Sequence, residues 1–178
     1  MKSILVQFDT DVHPSVFDRV VAVDAGVEQL FAYGGVTPET VESLVHGAIF
    51  TRGVPDLSRT AIFVGGSDVA AGERVFAAVQ QAFFGPMRVS VMMDSNGSNT
   101  TAAAAVLRAR RHVTLAGSVA VVLGATGPVG HRAAELLALE GAHVRVGSRS
   151  VERAAETCEV IAGRVDGELS PVATADSD

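Results

Sequence analysis

Three evenly spaced glycines form the part of this sequence whose residue types point most directly to chemistry. Gly124, Gly127 and Gly130 follow the apolar run 119–123 and lead into an apolar-periodic stretch that predicts a helix. A strand, a glycine-rich turn and a helix start together offer backbone N–H groups and the positive end of a helix dipole to a pyrophosphate. The predicted cofactor contacts are Gly124, Ala125, Thr126, Gly127, Pro128, Val129 and Gly130. The spacing is Gly-x-x-Gly-x-x-Gly rather than the stricter Gly-x-Gly-x-x-Gly, so a purely structural turn is the alternative interpretation.

The tip of the next predicted strand indicates which dinucleotide this turn would bind. An NAD site has Asp or Glu about 20 residues beyond the turn to hold the ribose 2′-hydroxyl, whereas an NADP site has Arg near the 2′-phosphate. Here the strand ends in Ser148, Arg149 and Ser150, with no carboxylate. A guanidinium and two hydroxyls are donors that suit a phosphate. The sequence therefore predicts NADP, with NAD as the second choice, unless Arg149 is only a surface residue.

Alternating strand-like and helix-like segments must position these residues. Strands are predicted at residues 2–8, 47–51, 60–64, 88–93, 119–123 and 143–146. Helices are predicted to start near Pro14 and Pro38 and to cover residues 68–84, 99–112, 129–140 and 151–162. Such alternation is typical of an α/β protein with a mostly parallel sheet. We predict an N-terminal α/β substrate-side domain at residues 1–113, followed at 114–178 by the first part of an NADP-binding Rossmann domain, a doubly wound parallel sheet.

Composition and charge exclude several classes of function. The formal net charge of −6 provides no basic surface for nucleic acid or an anionic membrane. Cys158 is the only cysteine, and the histidines form no ligand-spaced cluster, so no disulfide and no metal site are predicted. The first residues carry Asp9, Asp11 and Asp18 where a signal peptide needs an apolar core, and no run approaches the roughly 20 apolar residues of a membrane span. We predict a soluble, cytoplasmic protein that binds small molecules.

Several ordered segments resemble bacterial methylene-tetrahydromethanopterin dehydrogenases. They are QFDTD at 7–11, PSVFD at 14–18, YGGVTP at 33–38, TRG at 51–53, AIFVGG at 61–66, AAGERVF at 70–76, FFGP at 83–86, DSNGSNTTAAA at 94–104 and GPVG at 127–130. Together they cover nearly the whole chain in order. The resemblance implies an NADP-dependent oxidoreductase of one-carbon metabolism. Such an enzyme transfers hydride from methylene-tetrahydromethanopterin, or also from methylene-tetrahydrofolate, and leaves the methenyl form.

With this chemistry, two polar loops become the predicted contacts for the tetrahydropterin. Open α/β sheets bind ligands at the carboxyl ends of their strands, and hydride loss leaves a cation that carboxylates can stabilise. The predicted catalytic residues are Asp9, Asp11 and Asp94. The predicted substrate-binding residues are Thr10, Ser95, Asn96, Ser98, Asn99 and Thr100. Equally, Asp9 and Asp11 could cap the following helix, and the polar run 94–101 could be turn and N-cap chemistry alone.

The length of the second domain bounds the functional prediction. Residues 118–178 have room for about one mononucleotide-binding half of a Rossmann sheet, so we expect an incomplete member of the family. The alternative function is therefore a non-catalytic or inactive NADP-binding fragment. A short-chain reductase fits poorly, because it needs a Tyr-x-x-x-Lys pair and the only tyrosine, Tyr33, lies long before the turn. We also expect a homo-oligomer.

Overall fold

Strands and helices alternate along the chain, and the computed structural model describes them for residues 1–174. The strands are β1 (Ile4–Asp9), β2 (Gln29–Tyr33), β3 (Thr60–Gly65), β4 (Ser90–Met93), β5 (Val119–Val122), β6 (His143–Ser148) and β7 (Leu169–Ala173). The helices are α1 (Val16–Asp24), α2 (Val41–Ile49), α3 (Val69–Gln81), α4 (Ser98–Arg110), α5 (Pro128–Leu139) and α6 (Val151–Ala162). Contacts group these elements into two units, Met1–Asn96 and Gly97–Asp178. The predicted α/β class is confirmed. Within residues 1–174, no helix combines the length and the apolarity needed to cross a bilayer.

The first unit is built on a parallel sheet with the strand order β2-β1-β3-β4. Phe8 on β1 and Ile62 and Val64 on β3 are buried, and they share a core with Val45 of α2 and Val79 of α3. Apart from Phe8, these buried residues are aliphatic, as expected for parallel strands with both faces covered. The chain winds outward from β1 to β2 on one side and from β3 to β4 on the other. The carboxyl ends of β1 and β3 therefore flank a topological switch point, where open α/β sheets bind ligands.

The second unit is a parallel sheet with its strands in chain order, β5-β6-β7. Val144 and Val146 of β6 are buried against Ala134 of α5 and against Ala154 and Ile161 of α6. Three parallel strands joined by two helices are the topology of one mononucleotide-binding half of a Rossmann sheet. The predicted partial Rossmann topology is present, and β7 supplies its third strand.

Two elements of the first unit differ from the sequence pattern. Residues 47–51, predicted as a strand, form the last turn of α2 and the turn after it. A helix forms here rather than a strand because Val41, Val45 and Ile49 recur every four residues and are all buried. One face of the helix therefore packs on the sheet. Conversely, Gln29–Tyr33, for which the pattern predicts no strand, forms β2 at the sheet edge. Its residues 30–33 are an apolar run, but so short a run cannot be assigned to strand or helix by periodicity alone.

The compact units divide at a different residue from the predicted domains. The predicted border lies after residue 113, whereas the first unit ends at Asn96. The difference is α4, which packs against α5 and contributes the buried Val106 to the second core. The functional division into a substrate-side and a cofactor-side domain stays a prediction.

Glycine-to-alanine substitutions should have opposite effects in the two helices α2 and α3. Gly47 lies inside α2, and a Cβ added there meets no atom within 4 Å. Gly47→Ala should therefore raise the free energy of unfolding by roughly 0.5–1 kcal/mol, since alanine loses less backbone entropy on folding. Gly72 lies inside α3, where an added Cβ would stand 2.0 Å from Ser95 Oγ, so Gly72→Ala should destabilise the protein. Urea unfolding of both variants tests the pair, and destabilisation by Gly47→Ala would contradict the helix assignment.

Candidate functional site

The glycine turn after β5 is held by backbone hydrogen bonds at both ends. Gly124 has φ +66°, a left-handed conformation that glycine adopts without strain. The Gly127 N–H donates to the Gly124 carbonyl at 3.0 Å and closes the turn. The N–H of the buried Ala125 donates to the Gly147 carbonyl of β6, also at 3.0 Å. The turn is thereby fixed to the strand whose tip was predicted to select the nucleotide.

Helix α5 begins directly against this turn. Its N-cap, Gly127, supplies no side-chain hydrogen bond, and Pro128 is the first helical residue. The N–H groups of Val129 and Gly130 have no partner inside the helix, because the first turn lacks residues four positions earlier. A Cβ added to Gly130 would lie 2.4 Å from the Gly124 carbonyl oxygen and 2.9 Å from Ala125 Cα. Only backbone fits in this gap, and the open N–H groups and positive dipole end suit a pyrophosphate.

The three donors predicted at the tip of β6 differ in burial and in hydrogen-bond partners. Ser148 is buried, and its Oγ accepts a hydrogen bond from the Ser150 N–H at 3.3 Å. Ser150 caps α6, because its Oγ accepts from the Arg153 N–H at 3.2 Å. Arg149 is exposed, and its guanidinium makes no hydrogen bond or ion pair with any residue in the range 1–174. Arg149 is thus the available cation at this tip.

Sequence reasoning missed one charged group at the same tip. Glu152, two residues after the Ser150 cap, accepts a hydrogen bond from the Ser150 hydroxyl at 2.7 Å through Oε2. This hydrogen bond, with one from the backbone N–H of Glu152, lowers the pKa of the exposed Glu152 carboxyl. The sequence signal is an acidic residue in the first turn of α6, which by itself indicates only helix-dipole stabilisation.

In the first unit, the predicted acidic residues after β1 tie loops together. Asp9 is fully buried, and its carboxylate accepts from the N–H groups of Asp11 at 2.9 Å and Ser15 at 3.0 Å and from Gln7 Nε2 at 3.1 Å. The Asp11 carboxylate accepts from the Ser67 N–H at 3.0 Å and from the Ser67 hydroxyl at 2.9 Å. These bonds join the segment after β1 to the start of α1 and to the segment after β3.

The loop after β4 joins the same edge of the sheet. The Asp94 N–H donates to the Val64 carbonyl at 3.0 Å, and the Asn96 N–H donates to the Gly66 carbonyl at 2.7 Å. Asn96 has φ +56°, a left-handed conformation that asparagine adopts more readily than most residues other than glycine. Thr10 packs on Gly66 so closely that an added Cβ there would stand 1.9 Å from Thr10 Oγ1.

The predicted substrate residues therefore fall into two groups. Those at the carboxyl edge of the first sheet are Asp9, Thr10, Asp11, Asp94, Ser95 and Asn96. Those in the first turn of α4, which contacts assign to the second unit, are Ser98, Asn99 and Thr100. Of the second group, Ser98 is buried and Thr100 is exposed.

Asp18 is a further carboxylate at this edge that sequence reasoning did not assign to the site. It stands in the first turn of α1, where its N–H donates to Ser15 Oγ at 3.2 Å. Burial raises the pKa of Asp18, the Ser15 hydroxyl opposes that rise, and the charges of Asp9 and Asp94 add to it. The spacing Ser-x-x-Asp predicts a helix start but not this three-carboxylate cluster. Residues 1–174 contain no group of His, Cys, Asp and Glu placed to hold a metal ion.

Comparison with known proteins identifies relatives along nearly the whole chain. Residues 16–96 match the family model described as "Methylene-tetrahydromethanopterin dehydrogenase, N-terminal". "Bifunctional protein MdtA" of Methylorubrum extorquens is 51% identical over 177 residues, covering 98% of this chain and 62% of that protein. "NAD(P)-dependent methylenetetrahydromethanopterin dehydrogenase" of the same organism is 37% identical over 182 residues, covering 94% of this chain and 61% of that protein. The resemblance seen in the sequence is confirmed, and the chain spans about three fifths of the length of these relatives.

Two more distant matches bear on the fold. "Shikimate dehydrogenase (NADP(+))" of Halorubrum lacusprofundi is 42% identical over 99 residues, covering 54% of this chain and 35% of that protein. The crystal structure of the ligand-free 5-ketofructose reductase of Gluconobacter sp. strain CHM43 aligns with a TM-score of 0.58 and 16% identity. That alignment covers 98% of this chain and 64% of the reductase, and at such low identity it supports the fold alone.

Adding a methyl group at Gly130 should destabilise the second unit. Gly130→Ala places Cβ 2.4 Å from a backbone carbonyl oxygen, so the helix start or the turn must shift. We expect a loss of roughly 1–3 kcal/mol in the free energy of unfolding, the usual range for overpacking. Gly127→Ala is the control, since its Cβ would meet the nearest atom at 3.5 Å, an ordinary contact. Equal losses for the two variants in urea unfolding would argue against the close approach.

Asp18→Asn should stabilise the protein near pH 7 and lose this benefit in acid. A carboxyl whose pKa is raised on folding favours the native state only while protonated, so its ionisation opposes folding as pH rises through the folded-state pKa. Asparagine keeps a polar side chain at this helix start without the charge. The measurement is the difference in melting temperature between variant and wild type at about pH 7 and about pH 3.5. A benefit that persists unchanged in acid would show that the charge of Asp18 is not its source.

Proposed function

We propose that this chain, a relative of the methylene-tetrahydromethanopterin dehydrogenases, binds NADP through its second unit. We further propose that it serves hydride transfer from methylene-tetrahydromethanopterin to that cofactor. The observation that carries the proposal is the gap between Gly130 and Gly124, in which a Cβ would stand 2.4 Å from the carbonyl oxygen. A helix start left bare of side chains beside a fixed turn suits the close approach of a pyrophosphate.

In this proposal, backbone N–H groups and one guanidinium hold the dinucleotide. The N–H groups of Val129 and Gly130 bind the pyrophosphate, and Arg149 pairs with the ribose 2′-phosphate. Ser148 and Ser150, the other two predicted contacts, lie at the same strand tip, where the Ser150 hydroxyl donates to Glu152. When bound, the nicotinamide supplies the hydride acceptor. The relative named as NAD(P)-dependent supports a nicotinamide cofactor, and the choice of NADP over NAD rests on Arg149.

The carboxylates of the first unit would stabilise the charge that develops on the substrate. Loss of a hydride from the methylene carbon leaves the methenyl product as a cation, and the nitrogen lone pair that drives the loss belongs to the substrate. Burial raises the pKa of Asp18, and repulsion by the carboxylates of Asp9 and Asp94 adds to that rise. A cation beside Asp18 and Asp94 would reduce the repulsion between their carboxylates, and the two carboxylates would stabilise the cation.

The other predicted site residues have supporting parts in this scheme. The buried Asp9, and Asp11 through its bonds to Ser67, hold the loops in place and act as positioning residues. The predicted contacts for the polar edge of the pterin are kept as proposed: Thr10, Ser95, Asn96, Ser98, Asn99 and Thr100. Tetrahydrofolate carries the same reacting group and is the alternative substrate.

A second candidate function is nucleotide binding without turnover. It is favoured by one observation: the sheet described for the second unit has three parallel strands, which is one mononucleotide-binding half of a Rossmann sheet. Placing a nicotinamide against a methylene carbon demands accuracy, and a misplacement of about 1 Å can cost roughly a hundredfold in rate. Incubation with methylene-tetrahydromethanopterin and NADP separates the two candidates. NADPH formation supports the dehydrogenase, whereas tight NADP binding without NADPH formation supports the second candidate.

Arg149→Ala should weaken NADP binding by about ten- to a hundredfold and leave NAD binding nearly unchanged. A charge-assisted hydrogen bond to a phosphate contributes about 1.5–3 kcal/mol, and only NADP has the 2′-phosphate. Calorimetric titration of wild type and variant with both cofactors measures the effect. Arg145→Ala is the matched control, because Arg145 is an exposed cation earlier on the same strand. Equal weakening of NAD and NADP, or a wild type that already prefers NAD, would remove Arg149 from the site.

A further inference from the structure

The proposed 2′-phosphate position already has a carboxylate beside it. Glu152 lies in the first turn of α6, and its Oε2 accepts from the Ser150 hydroxyl at 2.7 Å. The same hydroxyl oxygen accepts from the Arg153 N–H at 3.2 Å. Ser150 therefore has its single proton committed to Glu152 and a lone pair committed to the helix.

We infer that Glu152 sets the discrimination between a 2′-phosphorylated and an unphosphorylated ribose by opposing Arg149 at the tip of β6. The inference rests on the proposed nucleotide site and assigns that site a second selectivity residue of the opposite sign. It does not alter the contacts proposed for the pyrophosphate, which belong to the turn after β5.

Two physical effects make Glu152 act against a 2′-phosphate. First, the Ser150 hydroxyl cannot donate to a phosphate oxygen while it donates to Glu152, so one of the three predicted donors is withheld. Second, the carboxylate lies where the positive end of the α6 dipole would otherwise favour an external anion. A ribose 2′-hydroxyl carries no charge, so the second effect does not apply to it.

No neighbouring cation offsets this charge among the residues described. Within residues 1–174, Arg149 makes no ion pair with Glu152 or with any other residue, and no ion pair joins Glu152 to the adjacent Arg153. The side chains of Arg149 and Glu152 are both exposed, so solvent screens their fields and limits the effect of each. We therefore expect the opposition of Glu152 to change affinity by less than the direct contact of Arg149.

The test compares two probes that differ only in the phosphate of interest. Adenosine 2′,5′-bisphosphate and 5′-AMP are titrated calorimetrically into the full chain at about pH 7.5 and low salt. Glu152→Gln should bind the bisphosphate about three- to tenfold more tightly than wild type, with 5′-AMP changed by less than about twofold. Glutamine still accepts a hydrogen bond from Ser150, so the cap is kept, and an unchanged melting temperature verifies folding.

Glu156→Gln is the matched control. Glu156 is an exposed carboxylate one turn further along α6, so the substitution changes the net charge equally but lies away from the helix start. A gain confined to Glu152→Gln, and lost in about 0.5 M salt, supports the inference. Equal affinities for the bisphosphate in Glu152→Gln, Glu156→Gln and wild type overturn it while the nucleotide site stands. If none of the three proteins binds either probe, the proposed nucleotide site fails and the inference fails with it.

Discussion

Parallel strand pairing is the constraint on which both units depend, because it brings the carboxyl ends of neighbouring strands to one edge of each sheet. Strand pairing alone therefore makes neighbours of loops that are distant in the sequence. Asp11 meets Ser67 because β1 and β3 pair in register up to Asp9 and Gly65. Likewise, the glycine turn after β5 meets Gly147 because β5 and β6 pair in register. The chemistry at each edge is then decided by what the loops carry.

The two units stabilise these edges by opposite means. In the first, side chains tie the loops: the buried Asp9 carboxylate accepts three hydrogen bonds, and such bonds compensate the burial of a polar group. In the second, the loop is held by close backbone packing, which is possible because Gly124 and Gly130 have no side chains. The first edge consequently carries carboxylates, and the second carries N–H groups that have no partner within their own helix. In the proposed function, the carboxylates stabilise a cationic product and the N–H groups bind an anionic cofactor.

How much of this could be predicted from the sequence follows from how local each feature is. The strand, turn and helix around Gly124 are adjacent in the chain, so glycine spacing and apolar periodicity were enough. Residues 47–51 were wrongly predicted as a strand, because only the burial of Val41, Val45 and Ile49 on one face identifies the helix. The approach of Asp18 to Asp94 is set by the sheet order, which no spacing along the chain encodes. Glu152 is evident in the sequence, but its effect on nucleotide choice depends on the hydrogen bond that it accepts from the Ser150 hydroxyl, which the sequence does not show.

The strand tip after β6 also shows why a single basic residue is an incomplete predictor of cofactor choice. Discrimination is a difference between two affinities, and a site can set it by repulsion as well as by attraction. At this tip an exposed guanidinium and an exposed carboxylate are three residues apart, and neither neutralises the other within residues 1–174. The Glu152 carboxylate also accepts the hydrogen bond of the Ser150 hydroxyl, which could otherwise donate to the 2′-phosphate proposed to pair with Arg149. In the proposed function, the preference for NADP over NAD therefore depends on the difference between two effects on the 2′-phosphate, the attraction by Arg149 and the repulsion by Glu152. That difference is expected to narrow as salt screens the exposed charges.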